Sequence, residues 1–238
     1  HVESMNLLFA GGGTGGHIFP ALAVAEEFKK RVPEADILFV GGTRGPEEKL
    51  AKEAGLEFKS LPAGQVIGRG LMGMWGMVRL SWSVFLGLFT VMSFKPDVVL
   101  GLGGYAGFPA AMAGVVLRRP VALHEQNSCP GMANRLLSRF ARKVMLTFPD
   151  EKHFFNKAKT VMTGNPVRCS IIDLGDRCEE IPHSGKLEKL LVIGGSQGAH
   201  SLNEAVVGSL DKFKEMGLGI RHQTGPTDYE QVKTAYIE

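Results

Sequence analysis

The sequence lacks the cysteine patterns that stabilise small secreted proteins or hold metal ions. Its three cysteines lie far apart in 238 residues, and none belongs to a Cys-x-x-Cys pair. A disulfide framework and a zinc site are therefore not indicated, and the cytoplasm is the expected compartment. The glycine-rich loops also lack Asp-x-Asp motifs and paired carboxylates, so no metal site is predicted.

A large excess of charge of one sign is also missing. The 27 Lys and Arg residues exceed the 24 Asp and Glu residues by only three, a formal net charge of +3. This excess is too small to argue for a nucleic acid partner, although it permits a local basic surface toward phosphates or anionic lipid. Hydrophobic residues make up 44% of the chain, which is enough for a globular protein with a buried core.

Short apolar runs alternate with helical patterns, which predicts βαβ units and mostly parallel sheets. The predicted strands are 6–10, 37–40, 58–61, 97–102, 121–123, 143–148, 160–162, 190–193 and 219–223, and the predicted helices are 18–31, 46–54, 71–94, 110–117, 131–140, 201–216 and 227–237. We predict a first domain over 5–168, an irregular linker over 169–187, and the first part of a second domain over 188–238. Two βα units are too few to form an independent core.

A glycine-rich segment, Gly11–His17, separates the first predicted strand from the first predicted helix. Glycine permits a tight turn and close approach to a ligand, and a helix N-terminus offers free N–H groups to an anion, so a phosphorylated ligand is expected. Gly11, Gly13 and Gly16 also satisfy the G-x-G-x-x-G pattern of dinucleotide sites. The acidic residue that such sites need after the second strand is missing, although Arg44 suits an NADP-binding variant.

Three residues are candidates for a general base. His17 lies where the first loop meets the helix, and a helix N-terminus disfavours an imidazolium, which leaves a neutral ring able to accept a proton. His124 and Glu125 follow the predicted strand 121–123, at the edge where open α/β sheets bind ligands. Each of the three also fits a capping or buried hydrogen-bonded role, so the sequence leaves the base open among them.

Polar residues after other predicted strands suit a phosphorylated, hydroxyl-rich ligand. Tyr105 lies in a second glycine-rich loop, 101–109, whereas Asn127, Arg168 and Ser196 follow strands near glycine or proline turns. Each residue alone is typical of a turn. Together they offer neutral donors, a guanidinium group and a hydroxyl, which fit sugar and diphosphate groups.

Residues 71–94 form the most apolar stretch, with Arg79 as its single charge. Its length is sufficient to cross a bilayer, but its glycines and the strand pattern that follows favour a helix that covers one face of the sheet. A third interpretation is a helix whose exposed Met, Trp and Phe side chains enter a membrane surface.

Five blocks of sequence carry a close resemblance to one enzyme family. They are GGGTGGH at 11–17, PDVVLGLGGY at 96–105, HEQN at 124–127, GNPVR at 164–168 and GGSQGA at 194–199. In order and spacing they resemble the MurG glycosyltransferase family. The resemblance implies a GT-B fold of two Rossmann-like, doubly wound parallel-sheet domains. It also implies an inverting transferase that moves GlcNAc from UDP-GlcNAc to the MurNAc C4 hydroxyl of undecaprenyl-diphospho-MurNAc-pentapeptide, converting lipid I to lipid II in peptidoglycan synthesis.

The resemblance further implies roles for individual residues. Positions that bind the donor UDP-GlcNAc correspond to Thr14, Gly15, Gly16, Asn127, Arg168 and Ser196. Positions on the acceptor and diphosphate side correspond to Gly13, His17, Gly103, Gly104, Tyr105, His124 and Glu125. His17 is the expected catalytic base. The membrane-association patch of the family corresponds to a region that includes Leu71, Trp75, Trp82 and Phe85.

From the resemblance we expect a peripheral protein on the cytoplasmic face of the bacterial cell membrane. Its expected partners are UDP-GlcNAc, lipid I and an anionic membrane surface, with cell-wall or division proteins as further candidates. No tightly bound cofactor is expected, and dependence on a divalent cation is left open. Because the chain ends before the family's uridine, ribose and GlcNAc contacts, we expect this chain alone to bind donor weakly and to be inactive. The alternatives are an NADP-dependent oxidoreductase and a non-catalytic membrane-surface phosphoglycan-binding module.

Overall fold

The computed structural model contains two compact units, which divide between residues 177 and 178. The described residues are 5–43, 45–62, 71–177, 188–195 and 197–237. The domain boundaries given by the sequence, 168 and 188, remain predictions beside this division.

Unit 1 is built on a parallel sheet that has seven strands among the described residues. The strands are β1 (Asn6–Gly11), β2 (Asp36–Gly41), β3 (Glu57–Ser60), β4 (Val98–Gly103), β5 (Val121–Glu125), β6 (Lys143–Leu146) and β7 (Thr160–Met162). Their order is β3-β2-β1-β4-β5-β6-β7, and all neighbouring pairs are parallel. The order reverses direction between β1 and β4, and open α/β sheets bind ligands in the crevice at such a reversal.

Helices cover both faces of this sheet. They are α1 (Gly15–Arg31), α2 (Glu47–Glu53), α3 (Leu71–Phe94), α4 (Gly104–Val116), α5 (Met132–Leu137) and α6 (Cys169–Arg177). Because side chains alternate along a strand, Leu7 and Phe9 join the core cluster that contains Ile18 of α1, whereas Leu8 joins the cluster that contains Val91 of α3. Burial on both faces explains why the strands are apolar throughout.

Two helices of unit 1 begin earlier than the sequence predicts. Helix α1 begins at Gly15 and not at residue 18, so His17 lies in its first turn. The prediction of a second glycine loop before a helix at 110 is wrong, because β4 passes directly into α4 through Gly103 and Gly104. Their φ angles of 87° and 74° lie in the left-handed region that glycine adopts readily.

Helix α3 has the predicted bounds and packs on α4 along one side. Gly87 lies against Pro109 and Ala113 of α4, and Ser83 and Val91 are fully buried. This packed side agrees with a helix that covers the sheet. By length and composition alone, the segment 74–94 is also long and apolar enough to cross a membrane. Of its most apolar stretch, 22% is buried inside the protein.

Unit 2 contains the parallel strands β8 (Lys189–Ile193) and β9 (Gly219–Gln223) and the helices α7 (His200–Val207), α8 (Leu210–Glu215) and α9 (Tyr229–Ala235). The single helix predicted over 201–216 is wrong, because the chain breaks it at Gly208 and Ser209. Glycine is a poor helix former, and serine favours helix ends.

Residues 169–177, in the first half of the predicted linker 169–187, form the helix α6. The apolar residues of α6, Ile171, Ile172 and Leu174, lie on one side of the helix. They span too few positions to show a clear helical period in the sequence. Residues 178–187 lie outside the described residues.

Candidate functional site

A cavity of about 200 Å³ lies at the carboxyl ends of β4 and β5. Six of the residues singled out by the sequence line it: His17, Gly103, Gly104, Tyr105, Glu125 and Asn127. They come from three separate sequence blocks, and the parallel sheet brings them together because each block follows the end of a strand.

The His17 ring rests on the backbone turn between β4 and α4. A Cβ atom at Gly103 would lie 3.3 Å from His17 Cε1, and one at Gly104 would lie 3.2 Å from His17 Cδ2. Side chains at these two positions would therefore press on the imidazole. His17 Nδ1 lies 3.1 Å from Oε1 of Gln126, and no group among the described residues bonds its Nε2.

His124 has both ring nitrogens engaged within the protein. Its Nε2 lies 3.0 Å from the carbonyl oxygen of Gly164, and its Nδ1 lies 2.9 Å from Nε2 of Gln126. The side chain is 2% exposed. Burial lowers the pKa of His124, although the Gly164 bond and the charge of Glu125 oppose the shift. A neutral ring with no free lone pair is poorly suited to accept a proton from a substrate.

Glu125 holds the loop that follows β5. Its Oε1 accepts hydrogen bonds from the backbone N–H and the side-chain amide of Asn127, both at 3.0 Å. Its Oε2 accepts from Nδ2 of Asn134 at 2.9 Å and from the N–H of Gly131 at 3.3 Å. With four donors on a carboxylate that is 2% exposed, the role that fits Glu125 is to position Asn127.

A buried carboxylate lies beneath the first glycine loop. Glu47 is 1% exposed, and its Oε1 accepts a hydrogen bond of 2.6 Å from the N–H of Gly13. Among the described residues its Oε2 has no hydrogen-bond partner. The N–H of Gly13 is therefore already used, so an anion at this loop must find other donors.

The start of α4 borders the cavity. The N-cap residue of α4 is Gly103, which makes no side-chain cap hydrogen bond, and two residues of the first turn, Gly104 and Tyr105, line the cavity. The first N–H groups of a helix lack partners within the helix, and its dipole favours negative charge there.

Other predicted donor residues lie outside this cavity. Arg168 places its guanidinium 4.5 Å from the ring centre of Phe19 and lines a separate cavity of about 480 Å³ on α1. Thr14 precedes α1, and Gly15 and Gly16 form its first turn. Ser196 lies outside the described residues, as does Arg44, on which the NADP alternative depends.

Sequence reasoning missed three polar residues at this site, namely Gln126, Glu47 and Asn134. Gln126 stands in a run of polar residues after a strand, and that position was its only signal. Glu47 and Asn134 lie on helices α2 and α5 in ordinary polar patterns. Their burial follows from tertiary packing.

An exposed apolar stripe runs along the outer side of α3. It comprises Trp75, Val78, Trp82, Phe85, Phe89 and Met92, which are 45–74% exposed and spaced by three and four residues. Trp82 stacks on Phe85 with ring centres 5.4 Å apart, and Phe85 meets Phe89 edge-on at 5.0 Å. The predicted membrane residues Trp75, Trp82 and Phe85 belong to this α3 stripe, and the side chain of Leu71 lies outside the description.

Two family models match the chain. The glycosyltransferase family 28 N-terminal domain matches residues 7–146, and the C-terminal domain of the same family matches residues 189–238. The crystal structure of Acinetobacter baumannii MurG matches with a TM-score of 0.69 at 26% identity, over 98% of this chain and 63% of that one. These matches confirm the predicted α/β fold class of GT-B type.

Curated relatives share one name, UDP-N-acetylglucosamine–N-acetylmuramyl-(pentapeptide) pyrophosphoryl-undecaprenol N-acetylglucosamine transferase. The relative from Nitratidesulfovibrio vulgaris is 47% identical over 95% of this chain and 62% of its own length. The relative from Pelobacter propionicus is 41% identical over 98% of this chain and 67% of its own length. The chain therefore spans about 62% of the length of the Nitratidesulfovibrio relative.

Proposed function

The chain belongs to glycosyltransferase family 28, and from this premise we propose that the complete protein transfers GlcNAc from UDP-GlcNAc to lipid I. The acceptor is the MurNAc C4 hydroxyl of undecaprenyl-diphospho-MurNAc-pentapeptide, and the product is lipid II. The shared name of the relatives supports this choice of donor and acceptor. The alternatives, an NADP-dependent oxidoreductase and a non-catalytic binding module, are not favoured by these relatives.

The observation that carries the proposal is the cavity in which His17 lies beside the start of α4, whose N-cap residue is Gly103. Nε2 of His17 has no partner among the described residues, so it is available to a substrate hydroxyl. The N–H groups of Gly104 and Tyr105 offer a nearby place for the acceptor diphosphate. An acceptor bound in this way brings a hydroxyl and a base into one cavity.

The reaction that this arrangement supports is a single displacement with inversion. Nε2 of His17 takes the proton of the C4 hydroxyl while the oxygen attacks the anomeric carbon of GlcNAc. The bond from that carbon to the diphosphate breaks, and UDP leaves with the electron pair. Asn127, Arg168, Ser196 and the Thr14–Gly16 segment are the proposed donor contacts of this chain, and donors of this kind stabilise the charge that grows on UDP.

The α3 stripe supports a peripheral association with the cytoplasmic membrane surface. Trp82, Phe85 and Phe89 are exposed and contact one another, and a contiguous exposed apolar patch is typical of a membrane or protein contact. A lipid-linked acceptor requires the enzyme to work at such a surface. We therefore assign the α3 stripe to membrane contact.

An assay of the complete protein tests the proposal. Purified protein, UDP-GlcNAc and lipid I in vesicles should release UDP and form lipid II, whereas NADP(H) should be neither bound nor consumed. Vesicle binding without release of UDP would instead support the non-catalytic module.

A further inference from the structure

Four groups form a continuous hydrogen-bonded chain from the loop after β7 to His17. The carbonyl oxygen of Gly164 lies 3.0 Å from Nε2 of His124, and Nδ1 of His124 lies 2.9 Å from Nε2 of Gln126. Oε1 of Gln126 then lies 3.1 Å from Nδ1 of His17. His124 lies in β5 and Gln126 follows its last residue, and the two side chains are bonded to each other.

The carbonyl oxygen of Gly164, at one end of these hydrogen bonds, fixes which group donates in each of them. A carbonyl oxygen only accepts, so Nε2 of His124 carries the proton and, in the neutral ring, Nδ1 accepts. The donor to that nitrogen is the amide NH₂ of Gln126, whose oxygen then faces His17. The oxygen accepts from Nδ1–H of His17, and the lone pair of the neutral His17 ring is left on Nε2.

The opposite direction would require a charged histidine inside the protein. If the Gln126 oxygen faced His124, that ring would have to carry protons on both nitrogens. The side chain is 2% exposed, and its pKa is lowered by burial. The nearest carboxylate, Glu125, directs both of its oxygens to Asn127, Gly131 and Asn134. The neutral ring, and with it the direction that leaves Nε2 of His17 free, is favoured.

We propose that Gln126 is a positioning residue that holds His17 with its proton on Nδ1 and its lone pair on Nε2. This inference rests on the proposed function for its catalytic meaning. When Nε2 accepts the proton of the acceptor hydroxyl, the O–H bond breaks, the new bond to the anomeric carbon forms and UDP departs. The imidazolium keeps its Nδ1–H bond to Gln126, so no side chain has to turn during the step.

The tautomer of His17 can be measured directly on this chain. Nitrogen NMR of ¹⁵N-histidine-labelled protein distinguishes protonated from unprotonated ring nitrogens, and His17→Gln assigns the signals of His17. We expect Nδ1–H in the parent chain and loss of this preference in Gln126→Met, which keeps the length of the side chain without its hydrogen bonds. Gln231→Met, the same change at an exposed residue of α9, should leave the His17 signals unchanged. Protonation of His17 on Nε2 in the parent chain, or an unchanged tautomer in Gln126→Met, would overturn the inference.

Kinetics of the complete protein supply the second measurement. Gln126→Met should lower kcat at least about tenfold with little change in the KM of UDP-GlcNAc, because the base is misaligned while donor contacts stay. Gln126→Glu can still accept from Nδ1–H, so it should recover part of kcat and raise the pH of the acidic limb of the kcat profile. Full kcat in Gln126→Met would also overturn the inference. An inactive parent enzyme would overturn the proposed function, and the NMR result would still decide the inference.

Discussion

Among the three candidate bases, His17 has a ring nitrogen, Nε2, that no described residue bonds. His124 uses both ring nitrogens, and Glu125 accepts four hydrogen bonds. A residue at the end of a strand can be polar because it reacts or because it holds a loop, and its neighbours decide between the two. Here the deciding neighbours are Gln126, which bonds His124, and Asn134, which bonds Glu125.

His17→Gln in the complete protein should lower kcat by about 10²–10⁴, the usual contribution of a general base. Binding of UDP-GlcNAc should change little, because the proposed role of His17 is on the acceptor. Steady-state kinetics and calorimetric titration measure the two effects. His153→Asn is a suitable control, since His153 is exposed with a φ angle of 54° that asparagine tolerates. A near-normal kcat in His17→Gln would remove His17 from its role as the base.

Glu47 should contribute to stability through the first glycine loop. Glu47→Ala removes the acceptor of the hydrogen bond from the Gly13 N–H, and loss of a hydrogen bond to a charged group costs about 1.5–3 kcal/mol. Glu47→Gln keeps an acceptor oxygen and should cost less. Urea denaturation of this chain measures both, with Glu48→Gln on the exposed side of α2 as the matched control. Equal stability of Glu47→Ala and the parent chain would contradict this role.

At the scale of elements, close approach of α4 to β1 depends on Gly107. A Cβ atom there would lie 2.6 Å from the carbonyl carbon of Ala10 and 2.8 Å from Cα of Gly11. These are backbone atoms of a central strand and cannot move aside. Gly107→Ala should therefore destabilise unit 1 by about 1–3 kcal/mol.

Gly175 in α6 gives the opposite expectation for the same substitution. A Cβ atom at Gly175 meets nothing within 4 Å, so Gly175→Ala should stabilise the helix by about 0.5–1 kcal/mol. Thermal denaturation of both variants provides the comparison. A stabilised Gly107→Ala would mean that α4 and β1 lie farther apart than described.

The exposed α3 stripe leads to a prediction about the binding of the protein to membranes. Trp82→Glu places a charge in the centre of the stripe, so binding of the complete protein to anionic vesicles should fall several-fold, because a charge at the apolar boundary is costly. Both Trp82 and the control residue Tyr229 are exposed aromatics, at 55% and 51%, so Tyr229→Glu makes a matched change on α9. Flotation measures binding, and equal flotation of Trp82→Glu and the parent protein would argue against membrane contact through α3.

At the scale of the whole molecule, nucleotide choice separates the proposed function from its main alternative. UDP-GlcNAc should raise the Tm of the complete protein, since a ligand at about 100 times its Kd adds about 2.7 kcal/mol of stability. NADP(H) should leave the Tm unchanged.

Local sequence determined the parallel α/β class, the bounds of α3 and most strand positions to within a few residues. Apolar runs and glycine turns are local signals, because each reflects the conformation of a few neighbouring residues. The same signals failed at the start of α4, in α6 and at Gly208. The start of α4 depends on Gly103 and Gly104. Helix α6 is short, and the break between α7 and α8 depends on Gly208 and Ser209.

The sequence by itself determined which residues are polar at strand ends, and its five blocks determined the family. Only the tertiary structure decided which groups surround these residues. It consumed the N–H of Gly13 with Glu47, surrounded Glu125 with donors, and connected His17 to Gly164 through Gln126 and His124. The physical reason is that a side chain's freedom to react depends on which donors, acceptors and solvent remain around it. The bonded neighbours of Gly13, His17 and His124 lie 34, 109 and 40 positions away along the sequence.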